Sequence, residues 1–356
     1  MNKKPNIILV LEKYAKLVNE TIEKHIPRRL NEETIKNFCG KSRFQWDLDA
    51  LNRTICEPFW DLLDRGGKRW RPALLLIVYE ALGGNSKDVI DFAIIPEVIH
   101  NGTLIVDDVE DDSEFRRGKP CIHRIYGTDI AINVGNTLYY LPLITIIKDN
   151  KLDVKTKIKI YETYIQEMIK LSFGQAMDIA WHKGLSRNVS EEQYMQMCAL
   201  KTGTLARMAA KIGAILAGAE DEIVEKIGRF AEAIGVAFQI QDDILNIIGE
   251  ESKYGKEIGG DITEGKRTLM VIYTLRKASP PDRDRLLEIL DMHTRNKRLI
   301  SEAISIMKKY DAINYAKKVS RRLVEEAWNE IDKILPESEA KNALRALAEF
   351  LIERDL

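Results

Sequence analysis

Apolar residues recur along most of this chain at the three- and four-residue spacing of amphipathic helices. The spacing predicts helices over 7–25, 73–82, 89–106, 130–147, 155–181, 190–198 and 223–248, and a helical pattern from 269 onward. No convincing alternation of polar and apolar residues predicts a strand, and no Gly/Ser-rich linker divides the chain. The pattern therefore predicts an all-α fold, a single large helix bundle. We divide this one domain, residues 1–356, into an N-terminal helical region (1–50), a motif-bearing core (51–270) and C-terminal helices (271–356).

Composition and charge exclude some functions. The chain is 45% hydrophobic and 31% charged, with a formal net charge of −1, so no global field favours nucleic acid or an anionic membrane. The four cysteines are scattered and form no CxxC pair, which favours free thiols in a reducing compartment. The longest apolar stretch, 130–147, is interrupted by Asn133, Asn136 and Pro142 and falls short of the ~20 residues that span a membrane. We therefore expect a cytoplasmic protein with no transmembrane segment.

Two predicted helices each end in acidic residues. On the first, Asp107, Asp108 and Asp111 share one face, where like charges repel unless a cation lies between them. On the second, Asp242 and Asp243 are followed at the same spacing by Asn246 instead of an aspartate. Carboxylate oxygens are the ligands that Mg²⁺ prefers, and the ion keeps waters and substrate phosphates as its other partners.

Basic, glycine-containing segments accompany both acidic clusters. They are Asp64–Pro72, Arg116–Pro120, Lys253–Asp261 and Gly265–Thr268. Each alone could be a solvated loop or part of a surface salt-bridge network. A helix start rich in glycine and arginine also binds anions, and arginine forks bind phosphate oxygens. His100 lies two helical turns before Asp107, and Asp178 lies in an otherwise apolar helix, so either could be a core residue or part of a site.

Carboxylates that face carboxylates across a bundle could chelate several Mg²⁺ ions and hold a diphosphate. Such a site favours loss of diphosphate as a leaving group, with the metals and basic side chains stabilising the departing charge. The other product of that cleavage is a carbocation, which an apolar bundle would protect from water. Only a carbocation with delocalised charge is stable enough to form in this way, so an allylic substrate is implied.

The motifs occur together in a specific order. They are Gly-Gly-Lys-x-x-Arg-Pro, His, Asp-Asp-x-x-Asp, Arg-Arg-Gly-Lys-Pro, Lys-Thr-Gly, Gln-x-x-Asp-Asp and Gly-Lys, between Arg65 and Thr268. In this order the chain resembles the trans-type isoprenyl (polyprenyl) diphosphate synthases of the geranylgeranyl and farnesyl diphosphate synthase family. The resemblance implies a bundle with a central active-site cavity, several Mg²⁺ ions per site, isopentenyl diphosphate and allylic prenyl diphosphates as substrates, and a homodimer.

The resemblance also implies roles for individual residues. Those that would hold the metal ions, directly or through waters, are Asp107, Asp111 and Asp242, supported by Asp108, Asp243 and Asp261. Those that would bind the allylic diphosphate are Arg116, Lys201, Lys256 and Lys266. Those that would bind isopentenyl diphosphate are Lys68, Arg71, His100 and Arg117. Thr202 and Gln239 would steady the cation.

Two departures from the family pattern are Asn246 and Asn136, where many relatives carry aspartate. For Asn246 we expect weaker metal support rather than inactivity.

Product length in this family depends on residues four and five positions before the first aspartate motif. Here these are Thr103 and Gly102, both small, which favours a geranylgeranyl (C20) or longer product over farnesyl. The end of the tunnel could instead be formed by Tyr139 or Tyr140 on a neighbouring helix, or by a partner subunit.

Three alternative functions share part of this pattern. A farnesyl diphosphate synthase shares every motif. A regulatory subunit of a heteromeric synthase would lose an aspartate motif or the basic loop, and only Asn246 hints at that. A class I terpene cyclase would carry an Asn/Asp-x-x-Ser/Thr-x-x-x-Glu motif where this chain has Asp242 and Asp243.

Overall fold

The computed structural model describes residues 5–186, 188–249 and 258–353, and most of these are helical. The α-helices are α1 (Ile7–His25), α2 (Glu32–Cys39), α3 (Leu48–Leu51), α4 (Glu57–Asp64), α5 (Trp70–Ala81), α6 (Ile94–Glu110), α7 (Ile122–Tyr126), α8 (Thr128–Tyr140), α9 (Ile144–Lys148), α10 (Val154–His182), α11 (Glu191–Lys201), α12 (Gly203–Leu216), α13 (Asp221–Ile248), α14 (Gly260–Thr263), α15 (Leu269–Lys277), α16 (Pro280–Asp291), α17 (Lys297–Lys309), α18 (Ala312–Ile331) and α19 (Glu339–Ile352). Short π or 3₁₀ segments cover Asn52–Cys56, Ser86–Asp88, Ile90–Ala93 and Leu141–Leu143.

Helix α13 lies at the centre of the bundle. It packs against α12, α18 and α19, while α5 packs against α12 and α19, and α6 packs against α8. The first half of α13 contributes Phe230 and Ile234 to a core shared with α5, α6 and α12. Its second half contributes Ile240 and Ile244 to a smaller core with α11 and α15 to α18. One helix therefore joins both cores, which supports our proposal of a single domain.

Helices α6 and α8 approach each other most closely at two glycines. A Cβ atom on Gly102 would lie 2.8 Å from the backbone oxygen of Gly135, and a Cβ atom on Gly135 would lie 2.5 Å from Cγ2 of Val106. At these separations a side chain would force neighbouring atoms to shift. The two helices can pack at this distance because neither residue has a side chain.

The predicted helices are confirmed, with shifted ends. α1 has the predicted bounds, and the predicted capping box opens α11, with Ser190 and Gln193 bonding reciprocally. α6 begins at Ile94 instead of Val89, because residues Ile90–Ala93 form a 3₁₀ turn. The segment predicted over 130–147 is divided into α8 and α9 by a 3₁₀ turn that contains Pro142.

A short β-hairpin escaped the sequence prediction. Strands β1 (Phe115–Arg116) and β2 (Lys119–Pro120) pair antiparallel across Arg117 and Gly118. Both turn residues have positive φ, 53° and 75°, as a two-residue type I′ hairpin turn requires. Two residues per strand are too few to show a polar–apolar alternation.

The segment Thr128–Lys148 meets the length and composition of a membrane span, and half of its most apolar window is buried inside the fold. This differs from our expectation that the stretch is too short. The buried half packs against α6 through Gly135, as a core helix of a bundle does.

Candidate active site

A cavity of about 2250 Å³ opens between the central helices. Nearly all of the residues predicted for the site line it. They are Lys68, Arg71, His100, Thr103, Asp107, Asp111, Arg116, Arg117, Lys201, Thr202, Gln239, Asp242, Asp243, Asp261 and Lys266. Residues as distant in sequence as Lys68 and Lys266 therefore meet at one site. Lys256 lies outside the described residues, and Asp108 and Gly102 do not line the cavity.

Asp107 is held by side chains from two other helices. Its Oδ1 atom lies 3.0 Å from Nζ of Lys201 and accepts a hydrogen bond of 2.9 Å from Nε2 of Gln175. Burial alone would raise the pKa of Asp107, but Lys201, Lys266 and Arg116 outweigh it, and the pKa lies below its usual range. The side chain is therefore an anion in the cavity wall.

Asp108 faces away from the cavity. Its side chain is only 1% exposed, and its Oδ1 atom accepts a hydrogen bond of 2.9 Å from Nε of Arg116. The neighbouring thiol of Cys121 has its pKa raised to about 12 by burial and by this carboxylate. The position of Asp108 on α6 turns it toward the hairpin, where it fixes Arg116, and its support of the metal waters stays a prediction.

Lys266 lies between the two acidic clusters. Its Nζ atom is 3.5 Å from Oδ2 of Asp111 and 4.0 Å from Oδ1 of Asp261, and it also pairs with Glu264. Burial raises the pKa of Asp111 to about 7, although Lys266 counteracts part of that rise. One ammonium group thus bridges carboxylates that lie 150 residues apart in the sequence.

The second acidic helix carries a chain of hydrogen bonds. The hydroxyl of Thr202 donates to Oε1 of Gln239 at 2.7 Å, and Nε2 of Gln239 donates to Oδ1 of Asp243 at 2.8 Å. The other oxygen of Asp243 accepts a bond of 2.7 Å from the hydroxyl of Tyr194. Burial, with Asp261 and Asp242 nearby, raises the pKa of Asp243 to about 8. Thr202 and Gln239 are thus brought together at the cavity wall.

The basic wall surrounds His100. Burial, reinforced by Arg71 and Arg117, lowers the pKa of His100 well below its usual value. In the same wall Nη1 of Arg69 pairs with Oε1 of Glu97 at 3.0 Å, and both side chains are almost fully buried.

The turn before α5 brings these arginines together. Gly66 and Gly67 have φ of 93° and 138°, and a Cβ atom on Gly67 would lie 2.6 Å from Nη1 of Arg69 and 3.1 Å from Nη2 of Arg117. The missing side chain leaves room for both guanidinium groups. The predicted anion-binding loop therefore has a physical reason for its glycines.

Of the two predicted chain-length residues, only Thr103 lines the cavity. Gly102 is buried in the contact with α8 and does not line the cavity, so its role in chain length stays a prediction. The sequence shows that position 102 lies on α6, but the direction it faces depends on where α8 packs.

The cavity wall also contains apolar and aromatic side chains. They are Leu104, Val106, Met168, Ile169, Leu205 and Phe238, with tyrosines at positions 139, 140 and 164. Charged and apolar walls therefore belong to one continuous cavity.

Residues from α10 complete the acidic end. Asp178, whose role the sequence left open, has its Oδ2 atom 2.6 Å from Nζ of Lys201. Gln175 donates to Asp107 and, at 2.6 Å, to Oε2 of Glu110. The sequence analysis did not identify Gln175 and Glu110 as site residues. The available indication was that Gln175 and Asp178 are polar residues about one turn apart in an otherwise apolar helix.

The carboxylate oxygens of the two acidic clusters are suitable ligands for a divalent cation. Among the described residues, however, no three acidic, histidine or cysteine side chains lie close enough together to form a metal site. The carboxylates are instead paired with cations: Asp107 with Lys201, and Asp111 with Lys266. Lys266 occupies the space between the two clusters, and Asp111 keeps a raised pKa despite it. One ammonium group does not neutralise all of the buried carboxylate charge. A hard divalent ion would neutralise the remainder.

Comparisons with known proteins agree with this geometry. The family model described as polyprenyl synthetase matches residues 52–307. A short chain isoprenyl diphosphate synthase of Methanothermobacter thermautotrophicus is 34% identical, over 97% of this chain and 98% of the relative. A geranylgeranyl diphosphate synthase of Saccharolobus solfataricus is also 34% identical, over 90% of this chain and 93% of the relative. The crystal structure of geranylgeranyl pyrophosphate synthetase from Pyrococcus horikoshii Ot3 superposes with a TM-score of 0.84, at 32% identity and 98% coverage of both chains.

Proposed function

This chain belongs to the polyprenyl synthetase family, and we propose that it condenses isopentenyl diphosphate with an allylic diphosphate head to tail, making geranylgeranyl diphosphate or a longer product. It is a prenyl-transferring enzyme of the trans-isoprenyl diphosphate synthase type. One observation carries the proposal: a single cavity joins two acidic clusters and two sets of cationic side chains to an apolar tunnel. That combination suits a substrate with a diphosphate head and a hydrocarbon tail.

We propose that Asp107, Asp111 and Asp242 hold several Mg²⁺ ions, with Asp261 and Asp243 supporting them. When bound, the ions would neutralise the diphosphate and stabilise it as a leaving group. Asp243 supports the site from behind in this proposal, since Tyr194 and Gln239 occupy its two oxygens. Asp108 acts through Arg116, which it holds at the cavity wall.

The cationic side chains divide between two diphosphates in this proposal. Lys201, Arg116 and Lys266 border the acidic clusters and would bind the allylic diphosphate, together with Lys256 outside the described residues. The set around His100, which is Lys68, Arg71 and Arg117, would bind isopentenyl diphosphate. His100 is neutral because of its lowered pKa, so it would donate a hydrogen bond without adding charge.

We propose for this chain the reaction that its family resemblance implies. The C1–O bond of the allylic substrate breaks, and the double bond of isopentenyl diphosphate attacks C1 to form a new carbon–carbon bond. A proton leaves the resulting cation for the released diphosphate. The Thr202 and Gln239 oxygens lie in the cavity wall, where their dipoles would steady the cation, and the apolar tunnel keeps water from it.

We propose a homodimer that forms through α8 and α10. Large apolar side chains are exposed on these helices: Ile132, Ile158, Ile165, Ile169 and Phe173. Exposed apolar side chains on adjoining helices are typical of subunit interfaces. Sedimentation of the purified protein measures its mass, and a monomer at micromolar concentration would contradict the proposal.

A cytoplasmic location is proposed as well. The cysteines among the described residues are all unpaired, and three of the four are buried. Free thiols persist in reducing compartments. We propose no nucleic-acid partner, because the net charge is −1.

The decisive experiment incubates purified protein with Mg²⁺, isopentenyl diphosphate and each allylic diphosphate in turn. Chromatography of the dephosphorylated products should show C20 or longer chains, whereas a C15 end product would favour the farnesyl synthase alternative. The Asp107→Ala and Asp242→Ala variants should remain folded and lose Mg²⁺-dependent turnover. Asp284→Ala, an exposed carboxylate beside Arg283, is the matched control and should keep full activity.

Absence of product from every primer would overturn the synthase proposal and favour a regulatory subunit. A variant of Asp107 or Asp242 that kept its Mg²⁺-dependent activity would refute the metal role of that residue alone.

A further inference from the structure

The guanidinium group of Arg69 joins three segments of the chain at the basic wall. Its Nε atom donates a hydrogen bond of 3.0 Å to Oδ1 of Asn19 on α1, and Nη2 donates one of 2.9 Å to the backbone oxygen of Leu63 on α4. Its Nη1 atom donates to the backbone oxygen of Gly66 and to Oε1 of Glu97 on α6, each at 3.0 Å. All three nitrogens are therefore engaged within the protein, and the side chain is 2% exposed.

Arg69 has a backbone conformation that residues with a side chain adopt rarely. Its φ is 49° and its ψ is 33°, in the left-handed region, immediately before the first residue of α5. Such a conformation persists only where surrounding contacts fix it. The four hydrogen bonds of the guanidinium group provide these contacts. They therefore also fix the turn that carries Lys68 and the start of α5, where Arg71 lies.

Glu97 connects Arg69 to the arginine of the hairpin turn. Its Oε1 atom also accepts a hydrogen bond of 3.0 Å from Nδ2 of Asn101, one turn along α6. Oδ1 of Asn101 lies 3.5 Å from Nη1 of Arg117, which also donates a bond of 3.2 Å to the backbone oxygen of Leu62. Glu97 and Asn101 are both buried. A chain of buried contacts therefore runs from Arg69 through α6 to Arg117.

Glu97 also affects the charge of the basic wall. Burial lowers the pKa of Arg117 to about 10, and Glu97 opposes that fall whereas Arg69 reinforces it. A carboxylate between two guanidinium groups reduces their mutual repulsion and favours the charged form of each. The charged form of Arg117 is the one that would bind a phosphate oxygen.

We propose that Arg69 and Glu97 are a positioning pair for isopentenyl diphosphate. They hold the turn before α5, with Lys68 and Arg71, in register with Arg117 on the hairpin. This inference rests on the proposed synthase function. The nitrogens of Arg69 already bond to the protein, so the pair acts through its neighbours and not on the substrate itself. A diphosphate that contacts both segments at once binds more weakly when either segment is displaced.

Arg69→Lys tests the pair with the positive charge retained. Lysine can still meet Glu97, but its single nitrogen cannot reproduce the bonds that three guanidinium nitrogens make. The KM for isopentenyl diphosphate should rise about 10- to 100-fold, while kcat and the KM for the allylic substrate change less than about 3-fold. Glu97→Gln keeps an acceptor oxygen but removes its charge, so the same KM should rise by a smaller factor.

Arg207→Lys is the matched control, because Arg207 belongs to another buried ion pair. Its Nε atom donates a hydrogen bond of 2.8 Å to Oε2 of Glu167, and the two side chains are 7% and 0% exposed. Neither residue lines the cavity. This variant should lower the melting temperature and leave both KM values unchanged.

Calorimetry of isopentenyl diphosphate binding separates the pair from the function on which it rests, because it needs no turnover. A wild type that binds this substrate but makes no product overturns the synthase proposal alone, and the dissociation constants of the variants then test the pair. A wild type that does not bind it overturns both proposals.

The pair itself is overturned if Arg69→Lys lowers only the melting temperature, as the control does, or raises both KM values equally. Should Arg69→Lys fail to fold, Glu97→Gln decides. A raised KM for isopentenyl diphosphate alone supports the proposal, and a KM equal to that of the wild type overturns it.

Discussion

The side-chain Oδ1 atom of Asn246 accepts a hydrogen bond of 3.1 Å from the backbone N–H of Asp261. The backbone oxygen of Asn246 also accepts a bond of 2.8 Å from the N–H of Gly259. The end of α13 thereby holds the start of α14 and the carboxylate of Asp261 at the cavity. The residue that departs from the usual aspartate therefore supports a second acidic residue, and it does so with an oxygen that aspartate also possesses.

We expect Asn246→Ala to reduce turnover about 10- to 100-fold and to raise the Mg²⁺ concentration needed for half-maximal activity, because loss of an orienting hydrogen bond weakens a metal site by this order. Asn246→Asp keeps the acceptor oxygen and should retain activity close to the wild type. Steady-state rates across a Mg²⁺ titration measure both variants. Equal rates for Asn246→Ala and the wild type would show that this hydrogen bond does not position Asp261.

Asp178 holds Lys201 at 2.6 Å, and Lys201 also contacts Asp107. In Asp178→Asn the ammonium loses one anionic partner and pairs more strongly with Asp107. Charge-assisted hydrogen bonds contribute about 1.5–3 kcal/mol, so we expect a roughly 10- to 100-fold loss in kcat/KM for the allylic substrate.

The KM for isopentenyl diphosphate is the internal control for Asp178→Asn and should not change. The proposed isopentenyl diphosphate site lies around His100 and not around Lys201. A parallel loss for both substrates, with a lowered melting temperature, would mean that Asp178 supports the fold rather than the allylic site.

Gly102 is expected to be a packing residue. In Gly102→Ala the new methyl group meets the backbone oxygen of Gly135 at 2.8 Å, and overpacking of this kind costs about 1–3 kcal/mol. The melting temperature should fall while the product length stays the same. Thr103→Ala, on the cavity wall next in sequence, is the control and should change stability less. If Gly102→Ala were as stable as the wild type and made a shorter product, position 102 would instead line the tunnel.

His100 should make stability depend on pH. Burial first, then Arg71 and Arg117, lowers its pKa in the folded protein below the unfolded value of 6.5. Below pH 6.5 the unfolded chain takes up a proton that the folded protein does not, so stability falls as the pH falls from 6.5 toward the folded pKa.

Thermal unfolding of the metal- and substrate-free protein at pH 5 and pH 7.5 measures this dependence. We expect His100→Gln to lose less stability on acidification than the wild type does. An identical loss in both proteins would assign the acid sensitivity to other groups.

The sequence was sufficient to place each acidic cluster on a helix, but not to show which aspartate faces the cavity. Asp107 and Asp108 are neighbours on α6, so about 100° of rotation separates them. Asp107 faces the cavity and meets Lys201 and Gln175, whereas Asp108 meets Arg116 on the other side. The partners come from α10, α11 and the hairpin, whose positions no local spacing reveals.

Helix existence and the order of the motifs followed from the sequence alone, as did the proposed chemistry of diphosphate and metal. Each depends on residue type and on spacing within one helix. The direction that Asp108 faces, the packing of Gly102 against α8 and the bridge made by Lys266 were decided only by tertiary structure. Each is a contact between helices far apart in the chain, and its geometry depends on how closely those helices approach. Gly102 is an example. Because glycine has no side chain, its role became visible only from the close packing of α8 against it.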